Sequence, residues 1–230
     1  MQDIKQIVVA SKNPGKLTEF VRLFGPDSGI ELVIDERFDP PDEVEPTYHG
    51  NATLKAIAAA TQFRAWALGE DSGIEIEALN WMPGALSARF AALPMSLKER
   101  LLDGPTLDLM RLAACQRIRA SPSAEENNEF ILRQLKSLST GNGVPFEARY
   151  VSHLVLVDPS GRIIARVECS AYGLIRERPA GMGGFGHDPI ISLRPFLDRT
   201  VAQLTPAEKD AVSHRGQAVR SLLRQLQLSP

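Results

Sequence analysis

Acidic side chains occur at two places where they could bind a divalent cation or accept a proton. They are Asp42, Glu43 and Glu45 in a proline-rich stretch, and Glu70 and Asp71 in a glycine-containing segment. Hard cations such as Mg²⁺ prefer carboxylate oxygens, and Mg²⁺ often takes only one or two of them together with phosphates. We expect Asp71 to hold a metal or to accept a proton from an attacking water. Asp42 and Glu45, taken singly, are more typical of solvated loop acids.

A loop between a predicted strand and a predicted helix could bind an anion. Its sequence is Ser11-Lys12-Asn13-Pro14-Gly15-Lys16. Backbone amides and the helix dipole favour negative charge at such a junction, and Lys16 adds a mobile positive charge. The loop is not a Walker loop, because the early glycine is missing and Leu17 follows the lysine. These residues predict a phosphate site, although an ordinary turn with a solvated lysine would use the same residue types.

A glycine-rich loop over residues 178–189 ends in Phe185-Gly186-His187-Asp188. Glycines allow a ligand to approach the backbone closely. Phe185 could stack on a base, an interaction worth about 1–3 kcal/mol in nucleic-acid sites. The alternative is a long hairpin loop with a phenylalanine in the core.

Cationic and imidazole side chains are concentrated near the C-terminus, at Lys209, His214 and Arg215. Thr205, Pro206 and Glu208 predict the start of a helix that carries all three. Positions four or five apart share roughly one side of a helix. The group would suit phosphates or purine carbonyls, although a lone histidine on a helix is more often structural.

The elements around these residues predict an α/β fold. Strands are expected at residues 7–10, 31–34, 65–68 and 74–76, and a tight turn at 69–73 would place Asp71 at the carboxyl edge of the sheet. An antiparallel hairpin is expected over 146–157 and 163–175. Helices are expected at 17–24, 51–63, 96–120 with a break at 103–105, and 124–138. The helical block at about 96–140 is interpreted as an insertion forming a second lobe of one domain, residues 1–230.

The overall composition is that of a globular protein with one sizeable core. The chain has 230 residues, of which 43% are hydrophobic and 23% are charged. Its net charge is −2, so it lacks the basic excess that is typical of nucleic-acid-binding proteins. The N-terminus lacks a signal-peptide pattern, and no apolar run approaches the ~20 residues of a membrane span. We therefore expect no membrane partner and a cytoplasmic location. Cys115 and Cys169 have no metal-ligand or disulfide spacing.

Taken together, these segments resemble the inosine triphosphate pyrophosphatase family, which hydrolyses non-canonical purine nucleoside triphosphates. The resemblance runs from residue 7 to about residue 222, with the family's motifs in order. They are the Ser11–Lys16 loop, Asn51-Ala52-Thr53-Leu54-Lys55-Ala56, Asp71-Ser72-Gly73, Pro83-Gly84 with Ser87-Ala88-Arg89-Phe90, Gly183-Gly184-Phe185-Gly186-His187-Asp188, and Ser213-His214-Arg215.

The resemblance implies both an architecture and a reaction. The expected fold is a long twisted mixed β-sheet with flanking helices in two lobes, with the nucleotide in the cleft between them, and the expected assembly is a homodimer. The expected reaction is Mg²⁺-dependent cleavage between the α- and β-phosphates of inosine or xanthosine triphosphate, which yields a monophosphate and pyrophosphate.

The resemblance also assigns roles by position. Asp71 corresponds to a metal-binding proton acceptor, and Glu43 to a metal ligand. Lys55 and residues Ser11 to Lys16 would contact the triphosphate, and Ser72 would be the next substrate contact. The base and phosphate pocket would comprise Phe185, Gly186, His187, Asp188, Lys209, His214 and Arg215.

The chain departs from the family pattern at three positions. Gly50 replaces a glutamate, Glu70 replaces an aspartate, and His187 replaces an aromatic residue. The segment at 101–139 is also longer than usual. Two alternatives follow: a related nucleotide hydrolase with shifted base specificity, and a nucleotide-binding regulator with impaired catalysis. The sequence leaves the preferred base and sugar open.

Overall fold

A mixed β-sheet forms the centre of the protein in a computed structural model that describes residues 4–116, 122–138 and 145–227. Within those residues the sheet has seven strands: β1 (Gln6–Val9), β2 (Glu31–Val33), β3 (Ala67–Ile76), β4 (Met82–Pro83), β5 (Phe146–Val157), β6 (Ile163–Ile175) and β7 (Ile191–Leu193). Their order is β2-β1-β3-β5-β6-β7, and β4 pairs with β3. β1 is parallel to β2 and β3, whereas β3, β5, β6 and β7 pair antiparallel. The predicted α/β class with a mixed sheet is confirmed.

Helices flank the sheet. They are α1 (Pro14–Phe24), α2 (Tyr48–Phe63), α3 (Met95–Asp103), α4 (Leu107–Ala114), α5 (Ala124–Leu138), α6 (Pro206–Val212) and α7 (His214–Gln225). The predicted break at 103–105 separates α3 from α4. The helix predicted over 124–138 is confirmed as α5. The helix predicted to reach residue 120 ends earlier, at Ala114 with Cys115 as its cap, and residues 117–120 lie outside the described residues.

Successive side chains of a strand point to opposite faces of the sheet, and here apolar side chains cover both faces. Leu68 and Leu154 pack with α1 and α7, through residues such as Phe20 and Val219. Their strand neighbours Ala67 and Val155 belong to a second cluster, which packs with the alanines of α2. A third cluster joins α3, α4 and α5 to the far halves of β3 and β5. Site residues on β3 can therefore meet α2 on one face and α7 on the other.

Local signals determine where the site helices begin. Asn13 caps α1 by accepting a hydrogen bond from the amide of Lys16, and Pro14 occupies the first turn. At α6 the predicted capping box is present, because Thr205 and Glu208 satisfy each other's backbone amides.

Two predictions about the site elements are wrong. Residues 69–73 form no turn, because β3 runs unbroken from Ala67 to Ile76 and pairs with β5 over its whole length. Asp71 therefore lies inside a central strand and not at the edge of the sheet. Lys209 also does not share a helix with His214 and Arg215. Ser213 has an extended backbone (φ −68°, ψ 153°) and caps a new helix, α7, through the amide of Gly216.

Across the described part of the chain, no helix is both long and apolar enough to cross a membrane.

Candidate active site

A cleft of about 970 Å³ brings most of the predicted site residues together. It is bordered by Ser11 to Asn13 with Lys16, Glu43 with Lys55, Ser72, Phe185 to Asp188, and Lys209 with His214 and Arg215. Asp71 is 3% exposed and is hydrogen-bonded to Lys55 at this wall. Pro14 and Gly15 form the first turn of α1, where they support the loop.

One wall of the cleft contains two carboxylates that share one lysine. Lys55 Nζ on α2 lies 2.8 Å from Glu43 Oε1 and 3.0 Å from Asp71 Oδ1. Asn51, one helical turn earlier, donates from Nδ2 to Asp71 Oδ2 at 3.3 Å. Burial opposes the charge of Lys55, but Asp71 and Glu43 outweigh it and raise the pKa of the ammonium. Lys55 therefore remains cationic between the two acids.

These two carboxylates differ in their readiness to take a proton. Burial raises the pKa of Asp71 to about 7; Lys55 opposes the rise, and the negative charge of Glu43 adds to it. Glu43 is also disfavoured by burial, but Lys55, Lys16 and Arg89 lower its pKa to about 2. A pair whose pKa values are driven apart in this way can divide the roles of proton acceptor and permanent anion.

Arg89 fixes Glu43 in place, a role that the sequence did not reveal. Its Nη2 donates to the Glu43 carbonyl at 2.8 Å and to Glu43 Oε2 at 3.0 Å. Nη1 donates to the Ala114 carbonyl at 3.3 Å, at the end of α4. The motif containing Arg89 was recognised as part of the family pattern, but its partner lies 46 positions away in sequence.

A second wall of the cleft carries Lys16 and Arg215, which belong to a network of buried charges centred on Glu70 behind the surface. Lys16 Nζ lies 2.8 Å from Glu70 Oε2, and Arg215 Nη2 lies 2.9 Å from Glu70 Oε1. Arg215 also donates to Ser72 Oγ at 3.1 Å. Burial disfavours the Glu70 anion, but Arg215 and Lys16 outweigh burial and hold its pKa well below the usual value. Glu70, one of the departures from the family pattern, thus ties the first turn of α1 to α7.

Glu19 on α1 extends this network and was missed in the sequence. Its carboxylate pairs with Lys209 at 2.6 Å and with Arg215, and it is 5% exposed. Lys209 Nζ also contacts Asp188 Oδ2 at 2.5 Å. The available sequence signal was the position of Glu19 one helical turn after Lys16, which places both side chains on the same side of α1.

Phe185 lies where its ring can face a ligand. Gly15 makes room for it, because a Cβ at position 15 would lie 2.4 Å from Phe185 Cδ1. Lys209 Nζ lies 4.9 Å and Arg215 Cζ lies 5.6 Å from the ring centroid. Such cations are attracted to the electron-rich face of the ring. Phe185 is therefore a half-buried wall of the cleft and not a member of the hydrophobic core clusters.

His214 presents a neutral ring to the cleft. Burial and the neighbouring Arg215 hold its pKa well below the usual value. The ring stacks on Tyr150 with centroids 4.6 Å apart, and Tyr150 donates its hydroxyl to Asp188 Oδ1 at 3.0 Å. Nδ1 of His214 is buried and has no hydrogen-bond partner among the described residues. A buried ring nitrogen without a hydrogen-bond partner is unusual for a purely structural histidine, and a ligand atom could supply that partner.

The space above Gly50 is taken by Glu45. A Cβ on residue 50 would lie 2.6 Å from Glu45 Cβ and 3.1 Å from Glu45 Oε2. Asn51 holds this segment, because its side chain bonds the backbone N–H and C=O of Glu45 at 3.0 and 3.1 Å. Glu45 is therefore partly buried beside the first turn of α2 and is not the freely solvated acid that was expected. Asp42 is exposed, as expected of a loop acid.

Together, the mixed sheet and the cleft define an α/β protein that can bind a polyanion between a cationic wall and a pair of carboxylates. The chain belongs to the Ham1 family, whose model matches residues 7–225. The membership expected from the sequence motifs is thereby confirmed.

Named relatives and solved structures agree with this assignment. A protein of Ralstonia nicotianae named dITP/XTP pyrophosphatase is 37% identical, over 98% of this chain and 98% of its own length. A Mycobacteroides abscessus protein of the same name is 37% identical, over 96% of this chain and 94% of its own. The structure of a HAM1 protein from Coxiella burnetii matches with a TM-score of 0.71 and 31% identity, covering 97% of this chain and 99% of that one.

Proposed function

We propose that this protein hydrolyses non-canonical purine nucleoside triphosphates, such as those of inosine and xanthosine, to the monophosphate and pyrophosphate. The names of its relatives support this activity. The observation that carries the proposal is the contact of the buried Asp71 with Lys55, which borders, with Glu43, a cleft that is also lined by Lys16, Lys209 and Arg215.

In the proposed reaction a water molecule attacks the α-phosphorus and transfers a proton to a carboxylate oxygen of Asp71. The bond between the α-phosphorus and the oxygen bridging to the β-phosphorus breaks, and pyrophosphate leaves. Asp71 suits this role because its pKa of about 7 lets it accept a proton near neutral pH. Lys16 and Lys55 neutralise the phosphate charges and stabilise the charge that develops in the transition state.

A divalent cation fits the carboxylate wall. No cluster of three or more His, Cys, Asp or Glu side chains suited to a metal occurs in the described residues. Glu43 and Asp71 nevertheless contact one and the same cation, Lys55 Nζ, and Mg²⁺ commonly takes one or two carboxylates plus substrate phosphates. We propose that these two residues hold Mg²⁺, which would neutralise phosphate charge and polarise the phosphoryl oxygen.

Base recognition is assigned to the wall formed by Phe185, His214 and Arg215. Phe185 would stack on the purine, and Arg215 or the neutral His214 would meet the 6-oxo group. Buried polar groups that the wrong base leaves unpaired discriminate strongly against it. A related hydrolase with shifted base specificity is the second candidate, because His187 stands in this wall where the family usually has an aromatic residue.

The decisive experiment is pyrophosphate release by the purified protein with Mg²⁺ and inosine, xanthosine, adenosine or guanosine triphosphate. We expect a strong preference for the first two and near-complete loss in Asp71→Asn. Preference for another nucleotide would favour the shifted hydrolase. Tight nucleotide binding without turnover under any divalent metal would instead identify a catalytically impaired regulator.

We also propose a homodimer, a single domain of two lobes over residues 1–230, and a cytoplasmic location, all on the family resemblance. An aromatic patch supports the dimer: Trp81 is 41% and Tyr172 is 51% exposed, and both rings lie within 5.8 Å of the Arg149 guanidinium. Light scattering should give twice the mass of the chain, and Tyr172→Arg should lower it. A monomeric wild type would exclude the dimer, and cell fractionation tests the location.

A further inference from the structure

Two adjacent asparagines on α5 are buried although they lie outside the catalytic cleft. Asn127 is 4% and Asn128 is 5% exposed. Asn128 donates from Nδ2 to the Gly186 carbonyl at 3.0 Å, and its Oδ1 lies 2.6 Å from His187 Nδ1. A buried amide that uses both its ends on one loop fixes that loop, because either half left unpaired would cost free energy.

This contact determines how His187 is presented to the cleft. Because Nδ2 of Asn128 is committed to Gly186, the atom that faces the imidazole is an oxygen, which can only accept. His187 therefore donates from Nδ1 in its neutral form. Burial lowers the pKa of His187 to about 4, although a hydrogen bond with the Ser87 backbone opposes the shift, so the ring is neutral at physiological pH and is held by Ser87 as well as by Asn128. His187 borders the cleft, whereas Asn128 borders a separate groove behind the loop.

The loop depends on this support from outside. Gly184 and Gly186 have positive φ angles of 70° and 62°, so the loop follows an irregular path. Within the loop, Asp188 Oδ2 accepts from the Phe185 amide at 2.9 Å. Tyr150 and Lys209 hold Asp188 from outside the loop, and Asn128 adds an anchor at Gly186 and His187, from the helical segment to which the sequence assigned no role in the site.

Asn127 offers a comparison in the same helical turn. Its Oδ1 accepts from the Ala91 amide at 3.0 Å, and Nδ2 donates to the Ala88 carbonyl at 3.2 Å. These contacts flank Arg89, which holds Glu43 on the carboxylate wall. Two equally buried asparagines thus support opposite walls of one cleft.

We propose that Asn128 is a positioning residue for base selectivity: it orients His187 and the Gly186 carbonyl, and so sets the shape of the base wall without touching the substrate. This inference rests on the proposed pyrophosphatase function. It assigns the helical insertion a part in specificity and explains how a histidine is accommodated where the family usually has an aromatic residue.

The test is the kinetics of Asn128→Ala and Asn127→Ala on inosine and guanosine triphosphates at saturating Mg²⁺. For Asn128→Ala we expect the ratio of kcat/KM for inosine over guanosine triphosphate to fall about tenfold, mainly through KM, with kcat within about threefold of wild type. Asn127→Ala should leave this ratio unchanged and raise the Mg²⁺ concentration needed for half-maximal activity. An unchanged ratio in Asn128→Ala, or equal losses of the ratio in both variants, would overturn the proposal.

An NMR titration tests the role of Asn128 independently of the proposed enzymatic activity. Asn128→Asp keeps the side-chain shape but places a carboxylate on His187, so NMR should show the imidazole titrating at least about one pH unit higher than in wild type. An unshifted titration would refute the positioning role, even for a protein that folds and releases no pyrophosphate. A wild type inactive on every nucleotide would refute the pyrophosphatase function and, with it, the selectivity role. Asn128→Ser replaces the alanine variant if the latter fails to fold.

Discussion

Lys55 Nζ lies 3.0 Å from Asp71 Oδ1 and 2.8 Å from Glu43 Oε1, so a single ammonium bridges the two acids that the proposed reaction requires. The lysine keeps Glu43 ionised and limits the rise in the pKa of Asp71 that burial causes. Without it, two buried carboxylates would face each other with no charge between them. The protonation states of Glu43 and Asp71 in the ligand-free protein therefore depend on Lys55.

Lys55→Met should lower kcat/KM by about 10²- to 10³-fold, because it removes both a phosphate contact and the counter-ion of Asp71. The loss of positive charge should also raise the pKa of Asp71, so the acid limb of the pH–rate profile should move to higher pH. Pyrophosphate release between pH 6 and 9 measures both effects. Arg162→Met is the comparison, since Arg162 lies between β5 and β6, outside the cleft, is 71% exposed and pairs with Asp158; an equal loss in both variants would contradict a specific role.

Metal removal should abolish pyrophosphate release, and added Mg²⁺ should restore it. Glu43→Gln should need about tenfold more Mg²⁺ for half-maximal rate, because one of the two proposed anionic ligands becomes neutral. The measurement is the initial rate in a Mg²⁺ titration after treatment with a chelator. Full activity in excess chelator would remove the metal from the mechanism.

Protonation of Asp71 should stabilise the metal-free protein below about pH 4, and this contribution should be lost as the pH rises towards 7, against the opposite slope of the buried neutral His187 and His214. The pKa of Asp71 is raised from 3.8 to about 7 on folding, so the folded state binds an extra proton between these values. Its contribution is complete below the lower value and is lost as the pH passes the upper one. In thermal melts in chelator, stability should therefore rise more steeply with pH in Asp71→Asn than in wild type. Equal slopes in the two proteins would mean that Asp71 is ionised in the metal-free fold.

Glu19→Gln should lower the free energy of unfolding by about 1–3 kcal/mol, because Lys209 and Arg215 would each lose one buried carboxylate partner while keeping another, Asp188 and Glu70 respectively. Asp39→Asn breaks an ion pair whose side chains are 52% and 92% exposed, and it should have no measurable effect. Urea denaturation followed by circular dichroism compares the two. A stable Glu19→Gln variant would mean that water enters the network readily.

Exchanging Glu45 and Gly50 tests whether Glu45 compensates for the glutamate that is missing at position 50. Gly50→Glu alone should destabilise, because its Cβ would collide with Glu45. Glu45→Gly alone should remove the carboxylate beside the first turn of α2, each change costing roughly 0.5–2 kcal/mol. The double variant should recover stability, because Thr47 and a glutamate at position 50 could then form a capping box. Additive losses in a double-mutant cycle would refute the compensation.

Local rules predicted the parts of the site that local chemistry determines. The capping box of Thr205 and Glu208 and the loop before α1 formed as expected, because their partners are three residues apart. The Gly69–Gly73 segment was predicted as a turn because glycine, acids and serine are typical of turns. Its true conformation depends on pairing with β5, some 80 residues later, and burial of its acids depends on partners from α2 and α7.

The charge network could not be predicted in the same way. Glu19 and Arg215 are 196 positions apart, and no motif in the sequence predicts that they pair. The break at Ser213 was hidden because a serine in a helical sequence is compatible both with continuation and with a new cap. Most of the candidate site could thus be located from sequence, whereas the residues that hold it in place required the fold.

Glu70 and Asp71 follow each other in β3, and their side chains leave the strand in opposite directions, towards Arg215 and towards Lys55. A shift of β3 by one residue would exchange them, putting the titrating acid among permanent cations and the permanent anion beside Lys55. The strand should therefore tolerate a conservative substitution at an apolar position better than an insertion or deletion. In this protein the parity of a single strand, as much as the identity of its residues, decides which acid takes the proposed role of proton acceptor.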